Sequence, residues 1–349
     1  MIINVPSADE LTSVSLRLYF KAWAEVTSIL EDWSRYFNMR RSRGFGGSKP
    51  EKFEPDDDWR AYLENAQNDL QGIYTLVQQS QEIGIKARIC EVSPYLLLKG
   101  LQAKPVADGS VDYDFTDFQT IDAAELVRVH NMVCDHQISP VFRELVEDIR
   151  RNRNKIHHLG ILNRSLDPHA VIDVLQLQYS ELYPHRRWMG DRITFGSVHR
   201  WSDWMESDFN ATTGAMLELH DLEPMLTPNQ YKRLTGHGPS KRRYICHYCV
   251  QEANLRETSV APGLAPTAFR LKGEMKIRCV LCDETEDLIA ERCTGDDCRC
   301  VFTTVDPNGE RRCVGCGYTA GEIADAIEQR RQMDEYRASE PHDPFDIPF

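Results

Sequence analysis

Hydrophobic side chains recur every three or four residues through most of the first two thirds of the chain, the spacing of one face of an α-helix. The first such stretch follows Ser7, which has the spacing of a capping box with Glu10. We expect a helix from about residue 8 to Phe37, and a second from Trp59 to Ile83. The apolar face of the first comprises Leu11, Val14, Leu18, Val26, Leu30, Trp33 and Phe37.

Further helices are indicated by start signals later in this part of the chain. One helix is expected over Ala123 to Cys134, and another begins where Ser139 can cap a helix whose first residue is Pro140. Asp167 followed by proline starts one more, through about Ser180. Strands and helices do not alternate in the way that would indicate a parallel sheet, so the pattern predicts a mainly α protein.

The pattern changes near residue 238, where the helical spacing gives way to closely spaced cysteines. Nine of the 11 cysteines lie between Cys246 and Cys316. The stretches 43–58 and 104–117 are polar and are predicted loops. The chain is therefore divided into a helical domain at 1–237, a small β-rich cysteine module at 238–320, and a short helix with a disordered tail at 321–349.

Composition limits the class of protein further. The 349 residues are 41% hydrophobic, which is enough for two domains with buried cores. No uncharged apolar run reaches the roughly 20 residues that cross a bilayer, and the N-terminus lacks a signal-peptide pattern, so the cytoplasm is predicted. The net charge of −13 argues against a general nucleic-acid coat, although local basic patches occur at 40–43, 150–155 and 241–243.

One of these patches interrupts an apolar helix face. The helix after Pro140 carries a stripe of apolar side chains, formed by Phe142, Leu145, Val146, Ile149 and Ile156. Arg153 falls in the gap between Ile149 and Ile156. An arginine directed towards a core or an interface needs an oppositely charged partner or has a functional role.

The residues that follow this arginine add an amide and two imidazoles. Arg-Asn-Lys-Ile-His-His at 153–158 resembles the Arg-Asn-x-x-x-His signature of HEPN-domain ribonucleases, helical proteins of toxin–antitoxin and antiviral systems. The resemblance implies a HEPN-like helical bundle over the first domain. It also implies that Arg153 stabilises the transition state, Asn154 positions the groups and His158 acts as acid or base.

The choice of histidine stays open at this point. In an ideal helix His157 lies about 40° from Arg153, whereas His158 lies about 140° away. The family spacing favours His158, which predicts a helix that ends or distorts near His157. Anchored instead at Arg151, the signature would use Asn152 with either histidine.

These residue types suffice for metal-independent cleavage of RNA. Histidine titrates near neutral pH and can take a proton from the 2′-OH or give one to the leaving oxygen, while arginine stabilises the extra negative charge. The resemblance implies a homodimer, or an internal pair of such motifs, with a composite site. It also implies an endoribonuclease acting as a toxin or antiviral effector on RNA, and an antitoxin or trigger protein as a further partner. The alternative is a non-catalytic scaffold that binds nucleic acid or a protein.

The cysteine module predicts two structural zinc ions. Four cysteine pairs supply eight thiolate ligands, and zinc in structural sites prefers four ligands in a tetrahedral arrangement, so the eight form two sites. The pairs are Cys246 with Cys249, Cys279 with Cys282, Cys293 with Cys298, and Cys313 with Cys316. A sequential combination of the pairs is favoured over a nested one, because a hairpin predicted over 301–312 suits a zinc ribbon.

The identity of one zinc ligand and the role of the neighbouring side chains stay open. Cys300 can replace Cys298 as a ligand, and His247 is expected at the surface of the first knuckle. A catalytic zinc is disfavoured because no His-x-Glu accompanies the cysteine pairs. Basic and aromatic side chains available for RNA or a partner protein are Lys241, Arg242, Arg243, Tyr244, Lys276 and Arg278.

Overall fold

The computed structural model describes residues 1–42, 57–103, 112–159, 165–198, 211–254 and 266–339. It is mainly helical, with small separate sheets near the C-terminus, as the fold class predicted. Contacts divide the chain into two units: the helical unit, residues 1–195 with 221–238, and the C-terminal unit, residues 196–220 with 239–349. Most of the two predicted loops and the tail from residue 340 lie outside the described residues.

Helices make up most of the first 238 residues. They are α1 (Ala8–Ser42), α2 (Asp57–Asn65), α3 (Gln67–Val92), α4 (Ala123–Val133), α5 (Pro140–Leu159), α6 (Pro168–Leu182), α7 (Trp188–Val198), α8 (Ala211–Leu222) and α9 (Pro228–Thr235). Short strands accompany them, namely β1 (Ile2–Ile3), β2 (Leu98–Ala103), β3 (Tyr113–Asp114) and β4 (Phe118–Thr120). β1 pairs in parallel with β3, and β2 pairs antiparallel with β4.

The predicted helix starts are confirmed by their caps. The Ser7 N–H donates to the Glu10 carboxylate at 2.9 Å, and the Glu10 N–H donates to the Ser7 hydroxyl at 3.2 Å. Ser139 accepts from an N–H in the first turn of α5 at 3.2 Å, and Asp167 accepts from one in α6 at 3.3 Å. Each cap satisfies an N–H that has no partner within its own helix.

One predicted helix is divided in the structure. The helix predicted from Trp59 to Ile83 is two helices, α2 and α3, which are separated at Ala66, and α3 continues to Val92. Ala66 keeps right-handed helical angles, so the interruption is slight. α3 then ends because Ser93, the residue before a proline, adopts extended angles (φ −168°, ψ 130°).

α3 lies at the centre of the helical unit and packs against α1, α2, α4, α5 and α6. One of its contacts with α1 is polar and completely buried. The Ser15 hydroxyl donates to the Ser80 carbonyl at 2.7 Å, and the Ser80 hydroxyl donates to the Ser15 carbonyl at 2.9 Å. This reciprocal pair fixes the two helix backbones at short range.

α6 joins the same buried contact. The Tyr183 hydroxyl donates to the Ser15 hydroxyl at 2.6 Å, and the Gln178 amide donates to the Ser80 hydroxyl at 2.7 Å. Gly84 lies one turn further along α3, where an added Cβ would be 2.9 Å from the Ser15 hydroxyl. Three helices therefore meet at a point that has no room for one more carbon.

We expect Gly84→Ala to lower the free energy of unfolding by about 1–3 kcal/mol, because the new methyl group would also lie 2.8 Å from Leu182 Cδ1. Gly72→Ala is the matched control, since Gly72 is in α3 with nothing within 4 Å of an added Cβ. It should stabilise by about 0.5–1 kcal/mol. Urea unfolding of the full chain, followed by tryptophan fluorescence, measures both; equal effects would contradict the close packing.

After residue 238, the described part of the C-terminal unit consists of short strands and two helices. Its elements after residue 238 are β5 (Arg243–Tyr244), α10 (His247–Asn254), β6 (Ala268–Arg270), β7 (Lys276–Cys279), β8 (Thr285–Asp287), β9 (Ile289–Ala290), β10 (Phe302–Val305), β11 (Arg311–Cys313) and α11 (Ala320–Ser339). Antiparallel pairing gives one sheet of order β5-β6-β7-β8 and another of order β9-β10-β11.

The hairpin predicted over 301–312 is confirmed as β10 and β11, in which Thr303 pairs with Cys313 and Val305 with Arg311. Its turn is closed by Asp306, whose carboxylate accepts two backbone N–H groups at 2.9 Å. Gly309 supplies the positive φ of 85° that the turn requires.

Candidate functional site

The C-terminal end of α5 differs from the prediction made from the family spacing. α5 continues as a regular helix through Leu159, so it neither ends nor distorts between His157 and His158. The expectation of a helix end near His157 was therefore wrong. The sequence contains no helix breaker before Gly160, so the backbone continues its hydrogen-bond ladder past both histidines.

The buried stripe of α5 also runs differently from the prediction. Asn152 occupies the buried position between Ile149 and Ile156, at 5% exposure, whereas Arg153 beside it is half-buried. Positions three and four residues after Ile149 both fit a helical face, and the pattern alone does not distinguish them. Because Asn152 donates to Asp148 at 2.9 Å inside the helix, its amide is occupied.

The four residues of the signature lie close together on the last turns of the helix. Arg153 and His157 are four residues apart, and so are Asn154 and His158, so each pair shares one flank of α5. An Arg153 guanidinium N–H donates to the Asn154 side-chain oxygen at 3.2 Å and links the two flanks. Both imidazoles are exposed, with ring centroids 5.6 Å apart.

The inner side of Arg153 faces a polar seam on α3. Glu82 binds Lys86 at 2.7 Å and accepts from Gln78 at 3.0 Å. Burial opposes ionisation of the Glu82 carboxyl, but Lys86, Gln78 and the charge of Arg153 outweigh it, so its pKa lies below the usual value. The seam places a fixed negative charge beneath the arginine.

The seam contains buried polar atoms that have no hydrogen-bond partner among the described residues. They are both amide atoms of Gln81, which is 1% exposed, and the Nε atoms of Arg150 and Arg153. Gln81, Glu82 and Arg150 line a small enclosed space between α3, α4 and α5. The only sequence signal for this seam is the four-residue spacing of Glu82 and Lys86 on a helix, which is typical of an ion pair.

We expect Glu82→Gln to destabilise the protein by about 1 kcal/mol at neutral pH, because the ionised carboxylate is the form that the fold favours. The folded-state pKa is lowered, so this contribution is present above the unfolded-state pKa of about 4.3 and is lost as pH falls through the folded-state pKa. Urea unfolding from pH 7 to acidic pH measures the difference. Glu64→Gln, an exposed control on α2, should leave the free energy of unfolding at neutral pH unchanged.

The eight paired cysteines form two separate clusters in the C-terminal unit. One comprises Cys246, Cys249, Cys279 and Cys282, and the other Cys293, Cys298, Cys313 and Cys316. Within each cluster all four sulfur atoms lie within 4.8 Å of one another, so the clusters can hold two metal ions. The structure thus brings together the sequential pairs and not the nested ones.

The sulfur positions fit a metal ion with tetrahedral coordination. Cys246 and Cys282 have sulfurs 3.6 Å apart, as do Cys249 and Cys279. In the second cluster two sulfur pairs are 3.7 Å apart, those of Cys293 with Cys316 and of Cys298 with Cys313. A tetrahedron with metal–sulfur bonds of about 2.3 Å has sulfur–sulfur edges of about 3.8 Å.

Backbone N–H groups support the thiolates in three of the knuckles. The N–H groups of Leu281, Gly295 and Gly315 donate to Cys279, Cys293 and Cys313 at 3.3–3.4 Å. Hydrogen bonds to sulfur favour the thiolate, the form that binds metal. In the first cluster, hydrogen bonds from the three neighbouring cysteines also lower the pKa of Cys279 well below its usual value.

Cys300 lies beside the second cluster but outside its set of four. Its buried thiol donates to the Phe302 carbonyl at 3.5 Å. An added Cβ on Gly315 would be 2.6 Å from Cys300 Cβ, so this knuckle requires glycine. Of the two alternatives for this ligand, Cys298 is the one in the cluster, and Cys300 packs behind it.

Two residues expected at the surface of the module are buried. His247 is 3% exposed, and burial lowers its pKa to about 4. The backbone N–H of His247 donates to the Glu286 carboxylate at 3.2 Å, and burial raises the pKa of that carboxyl to about 7. Tyr244 is 5% exposed, with Arg242 stacked 5.5 Å from its ring centre. Both expectations were wrong because the short strands of the module fold over these side chains, which local sequence does not reveal.

We expect the purified chain to contain two equivalents of bound metal, one for each cluster. Cys298→Ala should lower this to about one equivalent, because three thiolates do not close a tetrahedral structural site. Cys300→Ala is the matched control two residues away and should keep both ions. Elemental analysis after desalting measures the content. Loss of an ion from the Cys300 variant, but not from the Cys298 variant, would reverse the ligand assignment.

Comparison with family models, with curated proteins and with solved structures finds no significant match to this chain. Among the described helices, none is long and apolar enough to cross a membrane.

Proposed function

We propose that this chain is a metal-independent endoribonuclease of the HEPN type, a toxin or antiviral effector that cleaves RNA through attack of the 2′-OH. The observation that carries the proposal is the arrangement of Arg153, Asn154, His157 and His158 at one accessible helix end. The residues span an arc of about 140° around α5. A phosphate opposite the middle of this arc is within reach of a long guanidinium and of both rings.

Each group has a role that its chemistry suits. Arg153 keeps its charge at every physiological pH and stabilises the negative charge that develops on the phosphate oxygens. Its hydrogen bond to Asn154 and the negative charge of Glu82 hold the guanidinium in place. His158 transfers the proton as acid or base, and His157, on the flank of Arg153, is the alternative.

We propose that the active form is a homodimer. In-line displacement needs a base and an acid on opposite sides of phosphorus, and two neighbouring imidazoles on one helix end approach from the same side. A second copy of this helix end, facing the first, would supply the missing side. An antitoxin or trigger protein that covers the helix end would regulate it.

We propose zinc as the metal of both clusters. Four thiolates in a tetrahedral set are the ligands of structural zinc, and no open coordination position or His-x-Glu pair accompanies them. The ions would stabilise the C-terminal unit, where strands of two to four residues enclose little core. Exposed Lys241 and Arg242 are available for RNA or a partner protein, whereas Arg278 is bound to Asp283 at 2.7 Å.

Cleavage of single-stranded RNA by the full chain in EDTA tests the proposal. We expect products with 2′,3′-cyclic phosphate ends, and a loss of at least about 100-fold in rate for Arg153→Ala and for His158→Ala. Lys155→Ala, an exposed residue of the same helix end, is the control and should keep the wild-type rate. His157→Ala shows which imidazole is required. Metal content measured after the reaction shows that the clusters stayed loaded.

Mixing the Arg153→Ala and His158→Ala variants tests the composite site. If one copy supplies the arginine and the other the histidine, mixed dimers regain part of the activity. An active protein that light scattering shows to be a monomer would contradict the dimer. Intact RNA with bound protein would favour the non-catalytic scaffold instead.

A further inference from the structure

An open groove runs between α4 and α5 in the helical unit, on the side of α5 that carries Asn154 and His158. Three arginines line it, Arg128 from α4 and Arg143 and Arg151 from α5. All three are exposed. A rise of about 1.5 Å per residue separates Arg143 from Arg151 by about 12 Å along the helix.

The arginine charges are available to a ligand. Arg143 and Arg151 have no carboxylate partner among the described residues, and Arg151 Nε donates only to the Glu147 carbonyl, at 3.3 Å. Arg128 pairs with Glu125 at 3.2 Å, but the side chains are 63% and 40% exposed. Because exposed pairs of this kind contribute little, a phosphate can replace the glutamate.

Two carboxylates also line the groove and limit what it can bind. Glu147 is paired with Arg150 at 2.9 Å, so its charge is largely compensated. Glu144 is exposed and has no partner among the described residues. The groove is therefore not a deep anion pocket. It suits a nucleic-acid backbone in which each phosphate contacts one arginine and no phosphate lies next to Glu144.

The remaining lining suits unpaired bases. Val127, Asn131 and Met132 contribute to the groove, and Met132 is 71% exposed. Met132 offers a base an apolar packing surface, whereas the Asn131 amide is already bound to the Ile138 backbone, accepting its N–H at 2.8 Å and donating to its carbonyl at 3.4 Å. A duplex would keep its bases stacked inside and would leave this surface uncovered.

The groove is aligned with one histidine of the signature. Arg151 and His158 are seven residues apart, which places them within about 20° on the same flank, about 10 Å along the axis. His157 lies on the other flank with Arg153. An RNA strand that contacts the three arginines in turn therefore reaches His158 before it reaches His157.

We propose that the α4–α5 groove binds the backbone of single-stranded RNA through Arg128, Arg143 and Arg151 and directs it towards His158. This inference rests on the proposed function, since it names the path by which the substrate reaches that site. The arginines act in binding and the signature residues in cleavage, so the two roles are separable by mutation.

The test uses the full chain and a fluorescent single-stranded 2′-O-methyl RNA, which lacks the attacking hydroxyl and is not cleaved. Fluorescence anisotropy gives Kd across a range of salt concentrations. Arg143→Ala should raise Kd roughly fivefold and reduce the slope of log Kd against log salt by about 0.7, the loss of one phosphate contact. Arg128→Ala should act in the same direction, and Glu144→Gln should tighten binding.

Arg17→Ala is the matched control, because Arg17 is exposed on α1 and has no carboxylate partner among the described residues. It should bind like wild type. With unmodified RNA, Arg143→Ala should raise KM and leave kcat unchanged, which supports a binding role.

Two results would overturn the inference. If wild type cleaves RNA but Arg143→Ala and Arg128→Ala match Arg17→Ala in Kd and salt slope, the RNA path lies elsewhere and the proposed function stands. If wild type neither binds nor cleaves RNA, the proposed function fails and the inference with it.

Discussion

The reciprocal hydrogen bonds between Ser15 and Ser80 fix the position of α3, on which the rest of the helical unit depends. Both hydroxyls are buried, so replacing either serine would leave a polar group without a partner, at a cost of about 1–3 kcal/mol. α3 also contacts the helix that carries the signature residues. Because Glu82 follows Ser80 by two positions, the same contact that anchors α3 also sets where its carboxylate lies relative to Arg153.

The seam between α3 and α5 is polar where a core would usually be apolar. Gln81, Arg150 and Arg153 keep buried polar atoms without partners among the described residues, which reduces stability. An apolar residue at position 81 would avoid this cost. The seam is therefore better explained by a requirement for charge and hydrogen bonding near Arg153 than by packing, and such departures from local rules are typical of functional sites.

The sequence was a good guide wherever the deciding interaction is local. The helix starts at Ser7, Ser139 and Asp167 are set by caps within three residues, and the β10–β11 hairpin is set by its turn. The cysteine clusters followed from ligand number and from the hairpin between the last two pairs.

The features that sequence did not reveal depend on distant partners. Asn152, and not Arg153, is buried because of the direction from which α3 and α6 pack against α5, and helical spacing allows either. His247 is buried by strands that are far from it in sequence. The need for glycine at position 84 comes from a hydroxyl 69 positions earlier and from a leucine on α6.

The two kinds of chemistry in this chain belong to different units. The signature residues lie in the helical unit, whose stability comes from buried side chains such as Trp23, Phe142 and Ile149. The thiolate clusters lie in the other unit, where short strands bury few large side chains and metal binding would supply folding energy. Removing metal should therefore unfold one unit while the helix end that carries Arg153 and His158 keeps its structure. If the proposed cleavage is lost when metal is removed and the helical unit remains folded, the result would point to a role of the C-terminal unit in binding RNA or a partner.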